Sequence, residues 1–536
     1  MERKMGGVDM DVQLQALKDA SIRKGKRGIM RVVFGRTGIL LGLLLLQLLL
    51  LFVIIRFLAQ YVYVFFGGQI VFGILMLVII VNRQENPVFQ LTWTALVLLF
   101  PVFGGLLYLY VEMQPGTRVL AGRIREIDER TAQLLSQDPA TVHALQQTGR
   151  RTAQLIKYVW KNDGYPVYQN TQVRYFRSGE EKFEQLLQEL AAAQRFIFLE
   201  YFIISEGYMW DSVFEILKAK VQEGVEVRVL YDGMNELYNL PSDFSSRLKS
   251  AGIRCRAFSP VYPVISTHYN NRDHRKIAVI DGHTAFTGGV NLADEYINRR
   301  ERFGHWKDAA IMLRGEAVRS FTVMFLRMWN IYDKLENFSV YLKTGDVSVP
   351  AQESRGFVMP YAANPFGKEK TAERIYIDIL NSASQYVHIM TPYLVPGHEM
   401  MQALVYAAQR GVDVKLILPH IPDKKYAFAL AHSYYKKLIC AGVQIYEYTP
   451  GFIHSKVFVS DNKRAVVGAI NLDYRSLYLN FECAVFLYGV PQICDIEADF
   501  RATLPKCQLM TMFDVRHDRW TRKLAGMFLK IMAPLM

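Results

Sequence analysis

The chain has 536 residues, 63 Lys and Arg against 50 Asp and Glu, a net charge of +13 and a hydrophobic fraction of 51%. That length excludes a single small core and points to two or three domains. The hydrophobic surplus argues against a fully soluble enzyme, and the basic balance calls for an anionic partner, either nucleic acid or an acidic membrane surface. The five cysteines (Cys255, Cys440, Cys483, Cys494 and Cys507) form no C-x-x-C pair, so they read as reduced thiols rather than as a disulfide framework or a zinc site.

Residues 1–36 form a basic tail carrying Arg23, Lys24, Lys26, Arg27, Arg31 and Arg36. Residues 37–112 hold three uncharged apolar stretches, at 39–55, 57–81 and 88–111, each near the roughly 20 residues that a membrane-spanning helix needs. A cleaved signal peptide is excluded for the first, because its leading region is too long and more apolar segments follow. Arg118, Arg123, Arg125 and Arg130 lie beyond the third stretch, so positive charge flanks the region on both sides. The positive-inside rule places both flanks in the cytoplasm, which three full crossings would not allow. One segment is therefore expected to be re-entrant or interfacial, with the Gly67-Gly68 and 101–105 breaks marking the second and third stretches as candidates. The expected location is a multi-pass membrane protein with its catalytic part on the cytoplasmic face. Residues 113–165 then read as a polar helical linker interrupted at Asp138-Pro139.

The remainder contains itself twice. "FIFLEYFII" (196–204) corresponds to "YVHIMTPYLV" (386–395), "GVEVRVLYD" (224–232) to "GVDVKLILP" (411–419), and "LKSAGIRCRAFSP" (248–260) to "LICAGVQIYEYTP" (438–450). "WKDAAIMLRG" (306–315) corresponds to "FECAVFLYG" (481–489). The matches keep their order, as a duplicated domain does, and divide the chain into halves at 166–345 and 346–515. Each half alternates β-branched runs with amphipathic stretches. In "WDSVFEILKAKVQEG", Val213, Ile216, Leu217 and Val221 share one helical face, with Gly224 as the stop before a strand. The fold class is α/β, a sheet between helices in each half. Residues 516–536 form an amphipathic C-terminal helix with Trp520, Leu524, Met527, Phe528, Ile531 and Leu535 on one face. It either packs on the second half or lies at an anionic membrane surface.

Between the matched pieces lie His274, Lys276 and Asp281, followed by Gly288 and Asn291, and again His454, Lys456 and Asp461, followed by Gly468 and Asn471. On a strand, alternate side chains point the same way, so each His shares a face with its Lys. If the halves pack about a pseudo-twofold axis, both pairs converge on one cleft. Two imidazoles and two ammonium groups suit phosphodiester transfer: one imidazole attacks phosphorus, and the other protonates the departing alkoxide. Lys276 and Lys456, with the amides of Asn291 and Asn471, are the expected donors to the phosphate oxygens. Asp308 and Glu482, each downstream of its own half's histidine, are the expected acceptors that orient the imidazoles. Asp281 and Asp461 complete the motif, and their place before "DG" and "DN" turns also suits them to bracing. Arg475 and Ser476 are candidates for the mouth of the site, and His268 in its unmatched "VYPVIS" stretch is a candidate for a substrate loop. No metal or cofactor is expected.

The double H-x-K-x4-D motif with its Gly and Asn tail resembles the signature of the phospholipase D superfamily. Gly289 and Ala469 stand where that signature usually has Ser. The layout resembles the bacterial cardiolipin synthase family, with "TPYLVP" (391–396) and "NLDYRSLYLNFE" (471–482) in matching positions. The resemblance implies two phospholipase D-like domains packed together and a membrane-bound phosphatidyltransferase. It implies conversion of two phosphatidylglycerols to cardiolipin and glycerol through a phosphohistidine, with His274 as the nucleophile. The implied partners are phosphatidylglycerol and the anionic membrane surface, with no nucleic acid. A phospholipase D-type hydrolase, another phosphatidyltransferase, a tethered nuclease or a non-catalytic lipid-binding protein are the alternatives.

Overall fold

In the first half, Phe196, Phe198, Ile277, Val279, Ile311 and Leu313 fall in one buried cluster. Their strand neighbours Ile197, Leu199, Ala278, Ile280, Ala310 and Met312 fall in another. The period-two alternation of strand side chains thus yields a sheet buried on both faces. The computed structural model describes residues 36–57, 62–83, 87–260, 270–342, 354–367 and 369–533. These residues form two units, one ending at Thr117 and the other beginning at Arg118. Most of the basic N-terminal tail, His268 with "VYPVIS", and Leu535 lie outside the described residues.

The larger unit holds both halves. The first contributes β1 (Thr171–Phe176), β2 (Phe196–Tyr201), β3 (Glu226–Asp232), β4 (Arg254–Phe258), β5 (Lys276–Ile280), β6 (Thr284–Gly288), β7 (His305–Lys307) and β8 (Ala310–Gly315). The second contributes β9 (Phe357–Ala363), β10 (Tyr386–Met390), β11 (Leu394–Val395), β12 (Asp413–Pro419), β13 (Gln444–Tyr448), β14 (Gly451–Ile453), β15 (Val457–Ser460), β16 (Arg464–Gly468), β17 (Leu472–Asp473), β18 (Glu482–Tyr488) and β19 (Cys507–Met510). The first sheet runs β1-β8-β6-β5-β2-β3-β4, and the second runs β9-β18-β16-β15-β10-β12-β13 with β19 added at its edge. The repeat read from sequence is thus a repeat of sheet topology. In both sheets the run from β2 to β4, and its counterpart from β10 to β13, is parallel, with antiparallel strands beside it.

Helices form where the pattern changes to a 3.6-residue period. Gly179–Ala192 starts at Ser178, whose side chain accepts from Glu181 N–H, and it buries Phe183, Leu186 and Leu190 against the first sheet. Tyr208–Gln222 buries Val213 and Leu217 on the same sheet. It ends as expected at Gly224, whose φ of +90° suits a residue without a Cβ. Helix Val318–Trp329, by contrast, is buried nearly all round, and Phe321, Phe325 and Leu326 join a cluster shared with Val457, Val466 and Phe486 of the second half. The two halves therefore share one core.

The expected break in the linker is present. Asp138 caps helix Pro139–Thr148, accepting from the N–H groups of Ala140 and Thr141. The segment is nevertheless not a spacer between domains. Leu145, Ile156 and Val159 are buried in the shared core, so these helices belong to the larger unit.

In the smaller unit, helix Arg36–Phe57 covers the first apolar stretch and helix Val62–Val81 the second. Among the described residues, Tyr63–Val81 is the one segment long and apolar enough to cross a membrane. The third stretch does not form one crossing. It divides at Phe100 into helices Pro87–Leu99 and Pro101–Met113, each too short to span. The chain folds back there: the Trp93 and Tyr108 rings lie 5.4 Å apart, and Arg83 ahead of the first helix pairs with Glu112 near the end of the second. Pro101 at the start of the second helix supplies the break, and Gly104 permits the close approach to the Leu96 carbonyl. Of the two candidates for re-entrance, the third stretch has that shape.

Candidate active site

The strand expected over "DHRKIAVID" begins only at Lys276, with His274 in the extended stretch before it, and His454 and Lys456 lie between β14 and β15 rather than on a strand. His274 and Lys276 are buried, as are His454 and Lys456. The His274 imidazole is flanked by Phe202, ring to ring at 4.9 Å. His454 is ringed by Trp306 at 5.4 Å, Tyr296 at 5.5 Å and Phe452 at 5.8 Å. These aromatic walls were not anticipated, since such residues are ordinary in core strands. They are the source of the desolvation that governs the site.

The orienting carboxylates are exchanged between the halves. His454 Nδ1 lies 2.8 Å from Asp308 Oδ2, and His274 Nδ1 lies 2.9 Å from Glu482 Oε2. The expectation that each carboxylate serves the histidine of its own half is therefore corrected. The cause is local pairing. Strand β14, leading into His454, pairs in parallel with β7, leading into Asp308, and His454 N–H donates to the Lys307 carbonyl at 2.7 Å. Reciprocally, Asp273 bridges Phe481, and His274 N–H donates to the Phe481 carbonyl at 2.9 Å. Each histidine enters the site beside the other half's carboxylate strand. Gly289 makes room for Asp308, since a Cβ there would fall 2.0 Å from its Oδ1.

The lysines lie along the same path. Lys276 Nζ donates to the His274 carbonyl at 2.6 Å, and Lys456 Nζ donates to the His454 carbonyl. An ammonium has three donors, so each lysine retains others for a substrate oxygen. Burial pushes the Lys276 ammonium down to about 8 and that of Lys456 to about 7. Burial, reinforced by the charges of Lys276 and Lys456, holds the His274 imidazolium well below its usual range. His454 is pushed down to about 4 by burial and Lys456, against the opposing pull of Asp308. Burial also drives Glu482 well above the carboxylate range. For Asp308 burial acts the same way, but the charge and hydrogen bond of His454 outweigh it, and its carboxyl is held low.

Asp281 and Asp461, carried in the motif as catalytic residues, stand at the far ends of β5 and β15. Asp281 accepts from the backbone N–H groups of Gln194, Arg195 and Phe196. Asp461 accepts from those of Ser384, Gln385 and Tyr386. Each carboxylate thus fastens a hairpin turn to the start of the neighbouring strand, where the bracing expectation put it and away from the histidines. Asn291 is largely committed as well: its Oδ1 accepts from Ile203 N–H and its Nδ2 donates to the Tyr296 hydroxyl at 2.7 Å. It reaches the site through Tyr296, the ring against His454. Asn471 is buried, and its Oδ1 has no hydrogen-bond partner among the described residues. Arg475 lines a cleft beside the site, whereas Ser476 donates its N–H to Asp473 at 2.8 Å. His388 in β10 is buried away from the motifs, and its Nδ1 lies 2.9 Å from Glu497 Oε2. Among the described residues no group of three or more His, Cys, Asp or Glu could hold a metal ion.

Residues 186–329 and 376–504 match the family described as "Cardiolipin synthase, PLD-like domain". A "Cardiolipin synthase" of Halalkalibacterium halodurans is 32% identical over 464 residues, covering 86% of this chain and 91% of that one. An uncharacterized protein of Streptococcus mutans is 49% identical over 457 residues, covering 85% of this chain and 98% of that one. A solved structure described as phosphatidylserine synthase from Haemophilus influenzae aligns with a TM-score of 0.54 at 16% identity, covering 73% of this chain and 98% of that one, and so shares the fold. The match of both halves, together with the full-length relative, shows that this chain belongs to the cardiolipin synthase family of phospholipase D-like phosphatidyltransferases.

Proposed function

We propose that the chain joins two phosphatidylglycerols into cardiolipin and glycerol by way of a phosphohistidine. The observation that carries this reading is the reciprocal pair of buried histidines, each held by the other half's carboxylate beside a buried lysine. The two halves act as a pseudo-twofold pair around one site. An imidazole that donates its Nδ1 proton to a carboxylate presents the lone pair of Nε2 to phosphorus. His274 is the nucleophile. Burial and the neighbouring lysines keep it neutral, and Glu482, itself pushed toward the neutral form, lends it little negative charge. His454 stands beside the ionised Asp308, which favours its imidazolium, and it is the acid and base.

In the first step His274 Nε2 bonds to phosphorus. The phosphorus–oxygen bond to glycerol breaks, and His454 gives its proton to the departing oxygen. In the second, the hydroxyl of another phosphatidylglycerol loses its proton to His454 and bonds to phosphorus as the phosphorus–nitrogen bond breaks. Lys276, Lys456 and the Asn471 amide hold the phosphate oxygens, and Asn291 sets Tyr296 against His454. The large fixed positive charge does the electrostatic work, so no metal or other cofactor is required. Thin-layer analysis of purified protein with labelled phosphatidylglycerol tests the reading. Cardiolipin and glycerol are the expected products, and phosphatidic acid alone would replace the lipid acceptor with water.

The membrane arrangement proposed is multi-pass, with the catalytic unit on the cytoplasmic face. The folded-back third stretch supports it on the further proposal that helix Arg36–Phe57 crosses beside Tyr63–Val81, since two crossings and a re-entrant hairpin would leave both basic flanks on one side. Cysteine labelling from each side of sealed vesicles at positions near Arg118 tests it. The C-terminal helix Trp520–Met532 packs on the second half, and its outward face is proposed to meet the membrane. Gly526 packs against Ala429 and Ser433 of helix Lys425–Cys440, while Trp520 (73% exposed), Met527 and Phe528 face outward. That outward face, with Arg519, Arg522 and Lys523 beside it, suits contact with an anionic lipid surface. Trp520 emission should shift to the blue on anionic vesicles, and an unchanged spectrum would count against the contact.

A further inference from the structure

Joining two phosphatidylglycerols brings two anions to one place. One is the phosphoryl group being transferred, which the buried lysines of the two motifs serve. The other is the intact phosphodiester of the acceptor lipid, one glycerol away from the hydroxyl that attacks. Water or free glycerol as acceptor would carry no such charge, so a site that prefers a lipid acceptor needs a second anion seat beside the first.

We propose that the cleft headed by Lys424 and Arg475 is the seat of the acceptor lipid's own phosphate, and that it selects phosphatidylglycerol over uncharged acceptors. This rests on the transfer reaction proposed above. Lys424, Arg475 and Asp473 are the charged lining of the cleft, and Val395, Leu430 and Ala533 are among its apolar lining. The cations lie toward the first motif: Arg475 Nη1 donates to the Asn270 carbonyl at 3.2 Å, just upstream of His274, and the Lys424 charge is felt at that histidine. Ala533 follows the outward-facing C-terminal helix. A phosphatidyl acceptor offers the same two kinds of surface, a charged phosphate and apolar acyl chains.

The charges in the cleft fit one phosphodiester. Among the described residues that line the cleft, Asp473 is the one carboxylate beside Lys424 and Arg475, and it accepts from Ser476 N–H at 2.8 Å. A bound phosphodiester would therefore bring the anions level with the cations. Lys424 is further placed by its ammonium lying over the Tyr393 ring at 5.1 Å, and that ring is fixed by a hydroxyl bond to Asp423 at 2.5 Å. Neither cation belongs to the two motifs.

Two assays on one preparation test the assignment. One measures cardiolipin formed from phosphatidylglycerol. The other measures exchange of labelled free glycerol into phosphatidylglycerol, which runs the first step forward and back without an acceptor phosphate. Lys424→Met and Arg475→Gln should each lower cardiolipin formation by about tenfold or more, the loss of one charge-assisted contact, while exchange changes by no more than about twofold. Lys424→Arg should retain most of both. Each variant should also lose preference for phosphatidylglycerol over an uncharged monoacylglycerol acceptor, a ratio that a loss of folded protein would not move. Equal losses in both assays would assign the cations to the donor, and no loss in either would remove them from the reaction; either result overturns the proposal. Wild-type protein that exchanges glycerol but forms no cardiolipin would instead overturn the reaction on which it rests.

Discussion

The exchange of carboxylates makes a prediction that pairing within each half would reverse. Asp308 is fully buried and accepts from His454 Nδ1 and from Ala309 N–H, each at 2.8 Å. Asp308→Asn keeps the shape but removes the negative charge, and it can turn an amide donor toward Nδ1. His454 then loses support for its imidazolium and is pushed to the tautomer that cannot accept a proton on Nε2. Acid–base assistance contributes about 10²–10⁴-fold, so the barrier should rise by about 3–5 kcal/mol. The effect should depend on the leaving group. With phosphatidylglycerol, the glycerol alkoxide needs the proton from His454, and Asp308→Asn should show the full loss. With a phosphatidyl p-nitrophenol donor the leaving oxygen needs no proton, so the first-step burst of nitrophenolate should survive in Asp308→Asn and in His454→Ala. Glu482→Leu, although its residue sits in the second half, removes the acceptor that orients His274 and should lose that burst together with His274→Ala. Stopped-flow absorbance reads the burst directly. A burst lost in Asp308→Asn and kept in Glu482→Leu would refute both the cross-half pairing and the roles assigned to the two histidines.

A shared site predicts that His274→Ala and His454→Ala each abolish cardiolipin formation; about half the activity in either would mean two independent sites. The lysines set the alkaline side of the pH profile: kcat/KM should fall as pH rises through about 7 to 8, where Lys456 and Lys276 lose the protons that bind phosphate, and a profile flat to pH 9 would exclude them as the phosphate donors. Asp281→Ala removes the acceptor for three backbone N–H groups and should cost about 1–3 kcal/mol of stability, seen as a lower midpoint of thermal unfolding in detergent, with the rate per folded molecule preserved at low temperature. Loss of that rate with an unchanged midpoint would return Asp281 to the chemistry.

What could be read from sequence was whatever depends on spacing along the chain. The H-x-K spacing brings His274 beside Lys276, although the strand begins only at Lys276 and the two meet through Lys276 Nζ and the His274 carbonyl, and the repeated order of segments yields two sheets of one topology. What could not be read depends on which strand lies beside which. Asp308 and Glu482 were identifiable as histidine partners, but their assignment turns on β7 meeting β14, a contact between segments far apart in the chain. The linker helices were legible as helices and not as core, since "RRTAQLIKYVW" shows an apolar face without showing what covers it. The third apolar stretch passes for a crossing by composition. Only the Trp93–Tyr108 contact shows that Pro101 turns the chain back. Lys424 gave no signal at all, lying outside any repeated motif and entering the site from the loop before a helix.

Burial of the site raises a difficulty that the mechanism has to resolve. His454 is pushed down to about 4 and Lys456 to about 7, yet the first step needs a proton on both. The low values come chiefly from removing charge from water, and they belong to a site without its anion. A phosphodiester entering between the two lysines brings the missing negative charge, and an opposite charge at close range favours the protonated forms. Because the site is dry, that effect is larger than it would be at the surface. On the proposed mechanism substrate binding and proton uptake are therefore coupled, the proton for the departing glycerol arriving with the lipid that releases it. In that scheme Asp308, held ionised, directs the proton to His454, and Glu482, pushed the other way, leaves His274 to attack. Neither half can make this arrangement alone. Each carries a histidine whose carboxylate is in the other half, so separating them would leave both imidazoles without the groups that orient them. The site therefore needs both halves in one folded unit.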